Sequence, residues 1–214
     1  MAIKINESTA GPVASKLMEI GAIKLSHEIP FTWSSGWKSP IYCDNRLSLS
    51  YPEARTYIKM ALANVIRERF AGADLVAGVA TAGIPQGALV ADELKLPFAY
   101  VRPKPKDHGM ENLIEGRIEK GQSVVLVEDL ISTGGSSLKA ATALREAGAK
   151  VAGMVAIFTY GFDVAEKNFE KENVELVCLS DFNHLLQEAL NNKFINKDQL
   201  QYIKAWRSNP AEWK

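Results

Sequence analysis

The chain has 214 residues, with 25 lysines and arginines against 25 aspartates and glutamates, and 47% of it is hydrophobic. That apolar content excludes wholesale disorder and is enough to bury a substantial core in one domain. Zero net charge argues against a general nucleic-acid or membrane-surface binder, because either would need a basic excess. Cys43 and Cys178 lie far apart and form no paired motif, which suits a reducing compartment. His27, His108 and His184 are too scattered for metal-ligand spacing. Lys4 and Glu7 interrupt the N-terminus before a leader could build, and residues 151–158 form the longest apolar run. That run is far short of the ~20 residues that span a bilayer. A soluble cytoplasmic protein is the expectation.

Val13, Leu17 and Ile20 recur at helical spacing and predict a helix over 8–20. Residues 31–49 are rich in Trp, Ser, Gly and Pro and read as short strands and turns. Tyr51-Pro-Glu opens a helix that runs to about residue 70, with Ile58, Leu62, Val65 and Ile66 on one face. Next come a buried strand at 74–80, a Gly-rich turn, a helix at 85–94 and a strand at 98–101. A polar basic loop fills 102–121. Beyond it the pattern predicts a strand at 123–127, a helix at 134–147 and strands at 151–158 and 174–179. Two short helices, around 185–190 and 199–206, complete the reading. Strands alternating with helices imply right-handed crossovers and a parallel sheet covered on both faces, the α/β class.

The most informative stretch is Val124-Val-Leu-Val-Glu-Asp-Leu-Ile-Ser-Thr-Gly-Gly-Ser136. A buried strand leads into two carboxylates, Glu128 and Asp129, then a Ser/Thr/Gly turn and a helix. Glycines let such a backbone bend, and free N–H groups at a helix N-terminus face a phosphate. Ser132, Thr133 and Ser136 can add hydroxyl donors. Carboxylates beside a phosphate repel it unless they serve sugar hydroxyls, a metal or a developing positive charge. The plain alternative is an ordinary strand–turn–helix connection with two solvated acids. No G-x-x-x-x-G-K-[ST] loop and no G-x-G-x-x-G fingerprint occurs.

Arg102, Lys104, Lys106 and His108 alternate along Tyr100-Val-Arg-Pro-Lys-Pro-Lys-Asp-His-Gly109, so an extended segment would carry all four on one side. Pro103 and Pro105 disfavour helix there. A mobile cationic loop of this kind can close over a polyanion and exclude water. The alternative is a solvated basic loop.

The stretch 124–136 resembles the phosphoribosyl-pyrophosphate motif of the type I phosphoribosyltransferases. The pattern R-x-K-x-K-D-H-G, followed by Ile114-Glu115-Gly116, resembles the catalytic loop of the orotate-using members of that family. Residues 79–85 resemble their second binding loop and 31–46 their N-terminal hood. The resemblance implies a central parallel sheet flanked by helices, with a small hood and a mobile catalytic loop. It divides one domain, 1–214, into a hood region (1–50), an α/β core (51–180) with loop 102–121, and a helical extension (181–214).

The implied reaction is orotate plus 5-phosphoribosyl 1-diphosphate giving orotidine 5′-monophosphate and diphosphate, in pyrimidine nucleotide synthesis. By the same resemblance Arg102, Lys106 and His108 hold the diphosphate and, with Asp129, carry the catalysis. Glu128 and Asp129 contact the ribose hydroxyls. Leu130, Ile131, Ser132, Thr133, Gly134, Gly135 and Ser136 enclose the 5′-phosphate, and Ser132 touches orotate. Mg²⁺ rides on the diphosphate, with no metal cage in the protein. The partners are orotate and the diphosphate donor, with a homodimer sharing sites across its interface and no nucleic acid or membrane.

Ser34 and Ala82 stand where some members carry lysines, and Pro103 replaces a loop lysine. Arg46 or Lys38 is therefore the expected cation for the orotate carboxylate. Trp33, Trp37 and Tyr42 read as hood packing or base-pocket lining, Trp206 and Trp213 as docking or interface residues, and Cys43 as buried and inert. Two alternatives stand beside this reading: a purine-using phosphoribosyltransferase, and a regulator that senses the phosphoribosyl diphosphate.

Overall fold

The computed structural model describes residues 2–26, 29–33, 36–104 and 113–210. The N-terminal region contains β1 (Ile3–Ile5), α1 (Glu7–Glu19), β2 (Ile23–Leu25), β3 (Phe31–Thr32), β4 (Lys38–Ser39), β5 (Ile41–Cys43) and a 3-10 helix (Asn45–Ser50). The core follows with α2 (Pro52–Arg69), β6 (Leu75–Val79), α3 (Gly83–Leu94), β7 (Phe98–Val101), β8 (Ile114–Glu115) and β9 (Ser123–Ile131). It continues through α4 (Gly135–Glu146), β10 (Lys150–Thr159), α5 (Asp163–Lys171) and β11 (Leu176–Asp181) to α6 (Phe182–Asn191) and α7 (Lys197–Ser208).

Seven strands form one sheet in the order β1-β11-β10-β9-β6-β7-β8. Every pairing in it is parallel except β7 with β8. The expected parallel sheet thus carries one antiparallel edge. All five residues of β6 are buried, as expected where helices cover both faces. Alternation along β9 sends Val125 and Val127 into one core cluster and Val124 and Leu126 into the other. The first cluster also takes the apolar faces of α1, α2 and α6, and the second those of α4 and α5.

The hood consists of two small antiparallel ribbons, β2 with β5 and β3 with β4. Trp206 of α7 holds it down. This side chain is 0% exposed, and its Nε1 donates to the Lys38 carbonyl at 3.0 Å. Its ring packs edge-on against Trp33, Tyr160 and Phe162. Trp206 is therefore a docking residue within the chain: it is buried because the helical extension folds back over the hood. Burying an aromatic of this size removes on the order of 200 Å² from water, worth about 5 kcal/mol before entropy is charged. Trp33 likewise packs, at 4.8 Å from Tyr160, and its Nε1 donates to the Ile41 carbonyl.

Further features depart from the sequence reading. Strand β1 and helix α5 carried no expectation. Helix α3 begins at Gly83, two residues earlier than expected. Strand β9 does not stop before the acidic pair but carries it and runs on to Ile131.

Candidate active site

Because Glu128 and Asp129 sit within a strand, they project to opposite faces of the sheet. Glu128 turns toward α4 and is 6% exposed. Its Oε2 accepts from Ser137 Oγ at 2.9 Å and its Oε1 from the Asp129 backbone N–H at 2.9 Å. Asp129 turns toward the hood, where its charge is felt by Cys43 and Tyr160. Burial pushes the Glu128 carboxyl well up, and the Asp129 charge pushes it further. Burial also raises Asp129, against the opposing pull of its hydrogen bonds and of Arg46. A positive charge arriving nearby would favour the ionised form of each.

The turn after β9 is built for close approach. Gly134 caps α4 at φ 79°, a left-handed conformation that glycine adopts without penalty. A Cβ there would stand 2.6 Å from Phe169 Cε2 on α5. Asn168, one residue earlier, donates to the Thr133 carbonyl at 3.0 Å. Helix α5 therefore fixes the turn from behind. The first-turn N–H groups of α4, from Gly135, Ser136 and Ser137, have no intrahelical acceptor and point out of the helix end. Ser132 and Thr133 are half-buried, and Gly135 and Ser136 are exposed. Leu130 and Ile131 turn their side chains into the two cores. The Ile131 carbonyl accepts from Tyr160 N at 3.1 Å.

Arg102 lies at the end of β7, where its backbone N–H donates to Leu113 O at 2.7 Å. Among the described residues its Nη1 is buried without a hydrogen-bond partner, and it stands 3.7 Å from Glu115 Oε1. Arg102 and the first turn of α4 line one cavity of about 570 Å³, which also receives Lys139 and Glu146. A larger cavity of about 700 Å³ lies by Trp37, Phe182 and Arg207 and holds none of the expected site residues.

Arg46 is engaged elsewhere: its Nε and Nη2 grip Asp44 at 2.6 and 2.9 Å. Those hydrogen bonds hold the Asp44 carboxyl below its usual range. Lys38 Nζ donates to Thr32 Oγ1 at 2.7 Å. Lys106, His108, Ser34 and Trp213 lie outside the described residues.

The sequence reading missed Asn168, which presented itself as one more polar residue in a charged run. It also missed Asn45, whose Nδ2 donates to the Asp129 carbonyl at 2.7 Å. Inside Asp44-Asn-Arg46, an Asn reads as a turn former.

The phosphoribosyl transferase domain family matches residues 51–192. The orotate phosphoribosyltransferase of Cytophaga hutchinsonii is 57% identical over 202 residues, covering 94% of this chain and 97% of that protein. The chain belongs to the orotate phosphoribosyltransferase family. The Porphyromonas gingivalis orotate phosphoribosyltransferase is 56% identical over 201 residues, covering 94% of this chain and 96% of its own. The crystal structure of the Aeropyrum pernix orotate phosphoribosyltransferase superposes with a TM-score of 0.75 at 30% identity, over 86% of this chain and 99% of that one. Membership in the orotate phosphoribosyltransferase family bears out the expected fold and enzyme class. It displaces both the purine-using enzyme and the regulator. Among the described residues, no helix is long and apolar enough to cross a membrane.

Proposed function

We propose that this enzyme transfers the 5-phosphoribosyl group of 5-phosphoribosyl 1-diphosphate to orotate, giving orotidine 5′-monophosphate and diphosphate. The observation that carries the reading is the β9–turn–α4 unit. It joins an anion cradle at a helix N-terminus to a buried acid, Glu128, and a half-buried one, Asp129, a few residues away. In the reaction the ribose C1–O bond to diphosphate breaks, the electron pair leaves with the diphosphate, and C1 bonds to orotate N1, whose proton is released to the departing diphosphate or to solvent. The first-turn N–H groups of α4, with Ser132, Thr133 and Ser136, take the 5′-phosphate. Asp129 and Glu128 serve the ribose hydroxyls and oppose the positive charge that grows on the sugar as the bond breaks.

Arg102, whose Nη1 is buried without a hydrogen-bond partner among the described residues, meets the diphosphate with Lys106 and His108. Among the described residues no group of three His, Cys, Asp or Glu could cage a metal. The diphosphate's own hard oxygens fit Mg²⁺, which would neutralise part of the leaving group's charge when bound. Ser132 and Arg46 remain the residues proposed for orotate, Arg46 by exchanging Asp44 for the substrate carboxylate. A homodimer with shared sites is proposed on family grounds. A reducing, cytoplasmic setting suits the two free cysteines.

The test follows orotate absorbance with phosphoribosyl diphosphate and Mg²⁺, omitting each in turn. Loss of orotate in the complete mixture alone supports the reading. Tight binding of the diphosphate with no orotate consumed would instead support a sensor.

A further inference from the structure

Three buried polar side chains lie behind Asp129, and the reaction as written above uses none of them. Asn45, Ser48 and Gln86 are 0%, 0% and 1% exposed. Asn45 and Ser48 belong to the 3-10 helix of the hood and Gln86 to α3. Asn45 Nδ2 donates to the Asp129 carbonyl at 2.7 Å, between residues 84 positions apart. Asn45 Oδ1 accepts from Cys43 Sγ at 3.2 Å. Ser48 Oγ donates to the Asn45 carbonyl at 2.6 Å and accepts from Gln86 Nε2 at 3.1 Å. Gln86 Oε1, at the end of the series, is buried without a partner among the described residues.

The fold needs something at this point. Strand β6 pairs with β9 only as far as Val127, two residues short of Asp129. Beyond Val127 the strand end is laddered on its β10 flank alone. Apolar side chains could fill the space occupied by the three polar residues, and would do so without the desolvation cost of buried amides. They could not grip a carbonyl. Buried, connected polar groups of this kind hold a unique geometry.

We infer that Asn45 is a positioning residue: its carboxamide fixes the backbone at Asp129, and through Ser48 and Gln86 it couples the hood and α3 to that acid. This rests on the proposed role of Asp129 opposite the reacting sugar. A displacement of the acid would weaken the interaction made as charge develops and leave ground-state binding nearly intact, so the effect belongs in kcat.

The experiment measures kcat and both KM values for wild type, Asn45→Ala, Asn45→Asp and Ser48→Ala. The Ala variant removes the donor and the volume and adds no charge. The Asp variant removes the donor and keeps the volume, so a loss common to both is a loss of the hydrogen bond. Each should lower kcat about 10- to 100-fold with KM values within about threefold, the range for misplacement of a reacting group. Ser48→Ala should lower kcat by a smaller factor than the Asn45 variants, again at constant KM.

A folded Asn45→Asp enzyme with wild-type kcat would overturn the inference. So would a rise in KM at constant kcat. If both Asn45 variants fail to fold, Ser48→Ala decides, and wild-type kcat there overturns the coupling. An inactive wild type would count against the proposed reaction instead, which separates the two failures.

Discussion

Gly134→Ala is the substitution whose cost can be worked most fully from the structure. Two penalties combine. Gly134 sits at φ 79°, and an L-residue held in the left-handed region costs about 1–2 kcal/mol. The new methyl would stand 2.6 Å from Phe169 Cε2 and 3.1 Å from its Cδ2. Phe169 is 0% exposed, so relieving that overlap moves a packed core side chain and costs about 1–3 kcal/mol. The total is about 3 kcal/mol, which lowers the melting temperature of a chain this size by about 6–12 °C.

The local consequence is functional, since Gly134 opens α4 and its displacement moves the N–H groups proposed for the 5′-phosphate. The KM for phosphoribosyl diphosphate should therefore rise along with the loss of stability. Thermal unfolding of Gly134→Ala, Phe169→Leu and the double variant apportions the terms. The smaller Leu should return about 1–2 kcal/mol of the overlap as coupling energy and leave the backbone penalty in place. A Gly134→Ala melting temperature within about 2 °C of wild type would refute the reasoning, as would a cycle with no coupling.

Further outcomes follow from other sites. Trp206→Ala should cost about 3–5 kcal/mol in denaturant unfolding, because it empties the aromatic cluster under the hood and frees the Lys38 carbonyl. His184 bridges Asp181 at 2.7 Å and Glu7 at 3.2 Å, joining α6 to α1. Burial alone would lower its pKa, but the two carboxylates outweigh that and raise it above 6.5. A raised folded-state pKa means stabilisation present in full below 6.5 and lost as pH rises through the folded value. The melting temperature gap between wild type and His184→Ala should accordingly narrow from pH 6 toward pH 8, and a constant gap would contradict the bridge. Lys106→Ala should depress turnover strongly with the melting temperature unchanged; near-normal turnover would remove Lys106 from the diphosphate site.

The alternation of apolar runs with amphipathic helices was enough to read the α/β sheet, since β6, β9 and β10 are nearly continuous apolar stretches. Strand β1 escaped because Ile3-Lys4-Ile5 is three residues long and becomes a strand only through its register on Leu176 to Cys178. Helix α5 escaped because Ala165 and Phe169 are its buried residues in an otherwise charged run. The two carboxylates looked like the end of β9, as charged residues in a central strand usually would. They are tolerated because Ser137 and the Asp129 N–H satisfy Glu128.

The cradle itself was legible, because glycine, hydroxyl and acid at fixed spacing form a local signal. The grip of Asn45 on Asp129 was not. A contact across 84 positions exists only after the hood has folded onto the sheet.

The transfer is put to the test by mixing the purified enzyme with orotate, phosphoribosyl diphosphate and Mg²⁺ and identifying the products. Orotidine 5′-monophosphate and diphosphate should form in equal amounts, with no conversion when adenine or guanine replaces orotate. Conversion of a purine with orotate untouched would contradict it.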